Sequence, residues 1–274
     1  MALEPPFPEL DELLTMIGEA GQRLCEIEST EGAAGNISVY VGWPIEPRRR
    51  FPIAETIATP IAVPELEGRA VIVTGSGRRL REIARDAEGN VGIAVIGPGG
   101  TGATVYTSPR RHFARLTSEF NSHLAIHRDQ VVRTSTNFSA VIHAQPPYIT
   151  FLSHIPEYRD QRFFNQRIMR WEPETIVFLP EGVGVTPFCV PGSPALMETT
   201  LAAMRHHRVI VWSKHGVVAR SDTSVKRAAD YIEYAEIGAR YEYMNLRCGE
   251  RAEGLSADEI HAICAHLGIQ QTIF

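Results

Sequence analysis

Five side chains in this sequence could bind a metal ion or transfer protons, and their spacing makes each of them a candidate. Glu119, His123 and His127 follow one another at intervals of four residues, so a helix would place all three on one face. That spacing can gather a metal ion, although a carboxylate followed by histidines is also favoured by the helix dipole alone. His143 ends an apolar run and His215 lies between two others, where an α/β sheet exposes metal ligands. For each of these two, a histidine of the core or of the sheet rim is the alternative.

Three glycine-containing turns could bind an anion. They lie at 31–38 (EGAAGNIS), 74–79 (TGSGRR) and 181–185 (EGVGV). Glycine beside asparagine or serine lets backbone N–H groups converge on an anion, and the second turn precedes a predicted helix, whose N-terminus adds positive potential. The alternative for each turn is that its glycines only reverse the chain. Neither a Walker A motif nor G-x-G-x-x-G occurs, so nothing supports an ATP or NAD site.

The elements that must position these residues alternate between apolar runs and amphipathic segments. The predicted strands are Ala70–Thr74, Val91–Ile96, Ala140–His143, Thr175–Leu179, Val209–Trp212 and Val217–Ala219. The predicted helices are a first helix ending near Glu28, Arg79–Asp86, Ser118–Arg128, a segment within 161–170, Pro194–His206, about Ser224 to Leu246, and Ala257–Leu267. Prolines and a solvated arginine run predict an irregular excursion over residues 44–68. No low-complexity linker divides the elements, so we predict one α/β domain over residues 1–274 with at least six strands.

Composition limits the classes of partner. The 274 residues are 44% hydrophobic and 22% charged, enough to bury a full core and too apolar for a disordered chain. A net charge of -5 argues against nucleic acid or an anionic membrane surface as the main partner. The four cysteines are widely spaced without a C-x-x-C pair, and no signal peptide or long apolar run is evident. These features predict a cytoplasmic protein with free thiols.

Six short motifs occur in an order that is typical of one family. They are Gly35-Asn36, TGSG at 74–77, TSE at 117–119, Ile142-His143, LPEGVG at 179–184 continued by VPG at 190–192, and KHGV at 214–217. With this set the chain resembles the class II aldolase and adducin family from its first helix to its last. Within the family, the resemblance is strongest to the enzymes that cleave L-rhamnulose 1-phosphate, which share the long proline-rich excursion. The resemblance implies a central, mainly antiparallel sheet covered by helices, and a homotetramer with sites at its interfaces.

The resemblance also implies a Zn²⁺ ion, or another divalent cation, with His143 and His215 as ligands. Glu119 would be the catalytic acid/base and could itself ligate the resting metal. At the position of the family's remaining histidine ligand this chain has Gln145, whose amide oxygen is a poorer zinc ligand than imidazole. The predicted metal ligands are therefore His143, His215 and Gln145. A family asparagine is also replaced here, by Ala33.

The implied reaction is the reversible retro-aldol cleavage of L-rhamnulose 1-phosphate to dihydroxyacetone phosphate and L-lactaldehyde. The expected phosphate-binding residues are Gly35, Asn36, Ser76, Gly77 and Ser118. Glu174, placed just before a predicted strand, is either a second acid contributed by a neighbouring subunit or a solvated loop residue.

The same motifs are compatible with other functions. The chain could be another sugar-phosphate aldolase, an epimerase or a dehydratase of the same family, or an adducin-like interaction protein that has lost the metal. Gln145 favours the interaction protein, whereas the retained Glu119, His143 and His215 oppose it.

Overall fold

One sheet of nine strands runs through residues 2–274, the part of the chain that the computed structural model describes. The strands are β1 (Asn36–Val41), β2 (Ile53–Ala58), β3 (Ala70–Thr74), β4 (Val91–Ile96), β5 (Gly102–Thr107), β6 (Phe138–Ala144), β7 (Gly184–Thr186), β8 (Val209–Trp212) and β9 (Gly216–Ser221). Their order across the sheet is β2-β5-β4-β3-β1-β6-β9-β8-β7. All neighbouring strands are antiparallel except β7 and β8, so the predicted mainly antiparallel sheet is confirmed.

Helices cover both faces of this sheet. They are α1 (Leu10–Glu26), α2 (Leu80–Ile83), α3 (Ala87–Asn90), α4 (Phe120–Thr134), α5 (Pro147–Leu152), α6 (Gln161–Ile168), α7 (Pro173–Phe178), α8 (Pro194–Met204), α9 (Val225–Arg247) and α10 (Ala257–Leu267). Helices α1 and α9 pack together on one face, and α4 packs with α8 on the other. No helix among residues 2–274 has the length and apolarity that a membrane span requires.

Strand β1 lies near the centre of the sheet and separates two cores by the alternation of its side chains. Ile37, Val39 and Val41 belong to the core under α1 and α9. The intervening side chains of β1, beginning with Asn36 and Ser38, face α4. Because every residue of β1 is buried, its polar side chains need hydrogen-bond partners inside the protein.

Helix boundaries agree best with the sequence where caps define them. The Ser193 hydroxyl accepts a hydrogen bond at the start of α8, with Pro194 at the first helical position as predicted. The predicted capping box of Ser256 and Glu259 is present in α10. Helix α4 begins at Phe120 with Glu119 as its N-cap residue, two residues after the predicted start at Ser118.

One predicted strand is wrong. Residues Thr175–Leu179 lie mostly in helix α7, which begins at Pro173 and ends at Phe178. A short buried apolar run does not reveal its own period, and Thr175 and Ile176 are buried in the helix as they would be in a strand. Pro173 at the first helical position was the local signal for a helix.

Four strands were not predicted, namely β1, β2, β5 and β7. Strand β2 lies inside the proline-rich segment 44–68 and forms the sheet edge by pairing with β5. Most of its residues are exposed, so it carries no continuous apolar face that a sequence pattern could show. Strand β1 follows Gly35 directly, so its first three residues lie in the predicted turn at 31–38. The predicted helix Arg79–Asp86 is reduced to the four residues of α2.

Candidate active site

Three of the sequence motifs meet around Thr74, at the end of β3. The Ile37 N–H donates to Thr74 Oγ1 at 3.2 Å, and the Thr117 N–H donates to the Thr74 carbonyl at 3.1 Å. Gly75 forms an isolated bridge with Leu116. These contacts hold the glycine turn after β3 against the segment that leads into α4, next to the start of β1.

A carboxylate and two imidazoles converge beside this junction. Glu119 is 3% exposed, and its Oε2 lies 3.9 Å from His143 Nε2 while its Oε1 lies 3.7 Å from His215 Nε2. One possible ligand atom from each of the three residues lies within 4.8 Å of the other two. Two ligands bound to one Zn²⁺ at about 2.1 Å each are at most about 4.2 Å apart. The separations of 3.9 Å and 3.7 Å between Glu119 and the two histidines therefore suit a shared divalent cation.

A hydrogen bond to the Val217 carbonyl orients the His143 ring so that it could bind a metal ion. His143 Nδ1 donates to the Val217 carbonyl at 2.8 Å, so Nε2, which faces Glu119, is the nitrogen left to bind a metal ion. The strand register supports the same placement, because Asn36 and His143 are directly opposite each other in β1 and β6.

His215 reaches the carboxylate because Gly216 allows close approach of β9 to β6. Gly216 has φ +154°, and a Cβ on it would lie 2.4 Å from the Ala144 carbonyl oxygen. The Trp212 ring stacks on the His215 ring, with centroids 5.2 Å apart. Burial, with a smaller contribution from nearby His143, lowers the pKa of His215 to about 4 although Glu119 opposes the shift. His215 is therefore neutral near pH 7, which is the form that binds metals.

Gln145 lies beside His143 and Gly216. It follows β6 directly, is half-buried, and its backbone N–H donates to the Ser29 carbonyl at 2.7 Å. Its Cγ is 3.1 Å from the position that a Cβ on Gly216 would occupy. Within residues 2–274 its side-chain amide makes no hydrogen bond. The side chain is thus close to the His143–Gly216 contact, and its role as a metal ligand stays a prediction.

The expected phosphate-binding residues lie around the Thr74 junction. Gly35 and Gly77 have φ values of +85° and +72°, which favour glycine. The backbone N–H groups of Gly35, Gly77 and Ser118 have no hydrogen-bond acceptor among residues 2–274, whereas the Ser76 N–H donates to the Arg115 carbonyl at 2.8 Å. Free N–H groups of this kind can bind an anion. The phosphate roles of these residues stay predictions.

Asn36 contacts Glu119 and His123, which its sequence motif did not predict. Its Nδ2 donates to Glu119 Oε2 at 2.8 Å, and its Oδ1 accepts a hydrogen bond from His123 Nε2. The amide therefore contacts the carboxylate directly. A contact between Asn36 and phosphate stays a prediction.

His123 and His127 lie outside the cluster that could hold a metal ion. They share the helix face of Glu119, but both are fully buried and both hydrogen bond to the Ser38 hydroxyl, at 2.6 Å and 2.7 Å. They therefore lie inside the protein, and the Glu119 cluster contains His143 and His215 instead. Ser38 was missed, although strand alternation places it on the same face as Asn36.

Glu174 lies in α7, outside the cluster of Glu119, His143 and His215. It is exposed in the first turn of α7, where the sequence analysis expected a loop before a strand. It does not belong to the Glu119 cluster of this chain. A catalytic role from a neighbouring subunit stays a prediction.

Comparison with known proteins decides the family. A sequence model described as the class II aldolase and adducin N-terminal domain matches residues 16–243. The chain belongs to the class II aldolase and adducin family. Class II aldolases are metal-dependent, and the cluster of Glu119, His143 and His215 is compatible with a divalent cation.

Relatives and solved structures of this family extend over most of the chain. It is 26% identical over 256 residues to a rhamnulose-1-phosphate aldolase from Bacteroides thetaiotaomicron, covering 92% of this chain and 93% of the relative. Another rhamnulose-1-phosphate aldolase, from an Enterobacter species, is 26% identical over 78% of this chain and 76% of its own length. A sugar-phosphate aldolase from Thermotoga maritima superposes with a TM-score of 0.73 at 24% identity, covering 89% of this chain and 98% of that one. A structure at this identity supports the fold alone.

Proposed function

We propose that this member of the class II aldolase family is a metal-dependent lyase that cleaves L-rhamnulose 1-phosphate to dihydroxyacetone phosphate and L-lactaldehyde. The observation that carries the proposal is the buried Glu119 carboxylate facing the Nε2 atoms of His143 and His215. The choice of sugar is supported by the rhamnulose-1-phosphate aldolases, which are 26% identical to the chain, in one case over 92% of its length.

His143, His215 and Glu119 would hold the divalent cation, with Gln145 as a further candidate ligand. Their chemistry fits Zn²⁺, because neutral imidazole nitrogens and a carboxylate oxygen are among its common protein ligands. When bound, the cation supplies Lewis-acid stabilisation of negative charge developing on the ketose oxygens. The Val217 carbonyl that orients His143 would keep its Nε2 available as a ligand.

The phosphate group would bind at the Thr74 junction. The N–H groups of Gly35, Gly77 and Ser118 and the hydroxyls of Ser76 and Ser118 are the donors that this region offers, and Asn36 is a further candidate. Binding there would act at a distance from the reacting carbons and would orient the C3–C4 bond toward Glu119.

Glu119 would carry out the proton transfers. Cleavage of the C3–C4 bond requires removal of the C4 hydroxyl proton, which produces the aldehyde and leaves the electron pair of the broken bond in an enediolate. Return of a proton to C3 then completes dihydroxyacetone phosphate. A carboxylate that faces two imidazoles and accepts a hydrogen bond from the Asn36 amide could accept and return this proton. Glu174 of a neighbouring subunit is a candidate second acid, in a cytoplasmic homotetramer.

A panel of ketose 1-phosphates tests the proposal. Purified protein loaded with Zn²⁺ is incubated with L-rhamnulose 1-phosphate and L-fuculose 1-phosphate, and released dihydroxyacetone phosphate is measured by a coupled reductase. The proposal predicts a higher kcat/KM for the rhamnulose ester. Faster cleavage of the fuculose ester would transfer the assignment to another aldolase activity. Loss of substrate without dihydroxyacetone phosphate would indicate an epimerase or a dehydratase, and no turnover at all would favour the interaction protein.

A further inference from the structure

A row of buried polar side chains connects Glu119 to the space between β1 and α4. Going inward from the carboxylate, its members are Asn36, His123, Ser38 and His127, and successive members are hydrogen bonded to each other. Asn36 joins the row to Glu119 at 2.8 Å. We call these four residues the polar row.

Both histidines of the row are neutral. Burial, together with the neighbouring His127 and His143, lowers the pKa of His123 well below its ordinary value. Burial alone lowers the pKa of His127 to about 3. A neutral imidazole carries one N–H and one bare nitrogen, so each ring donates one hydrogen bond and can accept one.

The orientation of the Asn36 amide fixes the direction of every hydrogen bond in the row. Asn36 presents its NH₂ group to Glu119 and its oxygen to His123, and an amide oxygen can only accept. His123 must then carry its proton on Nε2, and its bare Nδ1 accepts from the Ser38 hydroxyl. The Ser38 oxygen in turn accepts from the Nε2–H of His127.

The hydrogen bonds at the His127 end of the row agree with this direction of donation. With the His127 proton on Nε2, His127 Nδ1 carries a lone pair and no proton, and this atom has no hydrogen-bond partner among residues 2–274. The reverse direction would leave a buried N–H unpaired there and would point the Asn36 oxygen at the carboxylate. An unpaired buried N–H is the rarer and less favourable of the two situations.

We propose that Ser38, His123 and His127 are positioning residues that hold the Asn36 amide in the one orientation in which it donates to Glu119. The proposal rests on the proposed function of Glu119 as the base of the reaction. An amide can rotate by half a turn with little change in shape, so only its hydrogen-bond partners select the orientation. If the side chain of Ser38 or His123 is removed, nothing selects the orientation of the Asn36 amide. Glu119 then loses the N–H group that donates to it.

A matched pair of serine variants tests the proposal. Ser38→Ala removes the hydroxyl that joins the two histidines. Ser139→Ala makes the same deletion at a fully buried position of β6, where the hydroxyl has no partner among residues 2–274. We expect kcat to fall about tenfold in Ser38→Ala with KM within about twofold of wild type, and kcat to be unchanged in Ser139→Ala. Equal kcat values for Ser38→Ala and wild type would overturn the proposal.

Two substitutions of His123 add a rescue. His123→Leu removes the donor to Asn36, whereas His123→Gln keeps an N–H near the position of Nε2. We expect the leucine variant to lose at least tenfold in kcat and the glutamine variant to recover part of that loss. Equal losses in two folded variants would contradict a role for the donated hydrogen bond.

Imidazole nitrogen NMR gives a readout that does not need turnover. Protein labelled with ¹⁵N-histidine should show His123 and His127 as Nε2–H tautomers at neutral pH, and an Nδ1–H tautomer at His123 would overturn the proposal. The tautomers test the orientation of Asn36 independently of the proposed aldolase function. If wild type shows the expected tautomers but cleaves no ketose phosphate, the proposed function fails while the orientation of Asn36 is supported.

Discussion

Replacing Asn36 with alanine separates two roles that this residue could have. The side chain donates to Glu119 Oε2 at 2.8 Å and accepts from His123, and it is 8% exposed. A hydrogen bond to a charged group contributes about 1.5–3 kcal/mol, which corresponds to a factor of about 10–150. If the bond holds the carboxylate in its reactive position, Asn36→Ala lowers kcat by about that factor and leaves KM within about threefold of wild type.

The assay is steady-state cleavage of L-rhamnulose 1-phosphate, with inorganic phosphate as a competing inhibitor. Asn245→Ala is the matched control, because Asn245, in the last turn of α9, is also buried but its Oδ1 accepts from the Ala252 N–H. This control should retain the wild-type kcat. A raised KM and a weaker inhibition by phosphate, with kcat unchanged in Asn36→Ala, would refute the positioning role and make Asn36 a phosphate ligand.

Three further predictions concern Glu119, Gln145 and Glu236. Glu119→Gln should keep the fold and lower kcat by about 10²-fold or more, because it removes proton transfer at nearly constant volume; wild-type kcat would remove Glu119 from the mechanism. Gln145→His should tighten Zn²⁺ binding at least about tenfold in competition with a chromophoric chelator, and equal affinities would show that position 145 does not face the metal. Burial raises the pKa of Glu236 to about 7, although its carboxylate accepts from the Tyr148 and Ile149 N–H groups. Since the folded state holds this proton more tightly than the unfolded state, the stability of wild type relative to Glu236→Gln should fall by up to about 3 kcal/mol as the pH rises from about 4.5 to 7. A pH-independent difference in denaturant unfolding would contradict this.

Local signals in the sequence were sufficient for the capped helices and for most of the buried strands. The box of Ser256 and Glu259 and the Ser193-Pro194 cap act within a single turn, so their sequence patterns fix the helix starts. Strand β2 depends on pairing with β5, and it carried no signal of its own; helix α7 carried only Pro173 as a local signal, which its short buried apolar run outweighed. Tertiary context decided these two elements.

The candidate site divides in the same way. Glu119, His143 and His215 were proposed together from the family resemblance, and the fold places them within one cluster. The hydrogen bonds of Ser38 with His123 and His127 depend on how β1 packs against α4. Since the sequence does not specify that packing, it was compatible both with a metal site on this helix face and with histidines favoured by the helix dipole alone.

Metal removal and return tests the central claim most directly. Protein stripped with a chelator and dialysed is assayed for dihydroxyacetone phosphate release from L-rhamnulose 1-phosphate before and after addition of Zn²⁺ or another divalent cation, with bound metal measured in the same samples. We predict that cleavage disappears on stripping, returns with the cation, and rises in proportion to metal bound up to one ion per chain. Cleavage that persists in fully stripped protein, or full metal binding without cleavage, would contradict the claim.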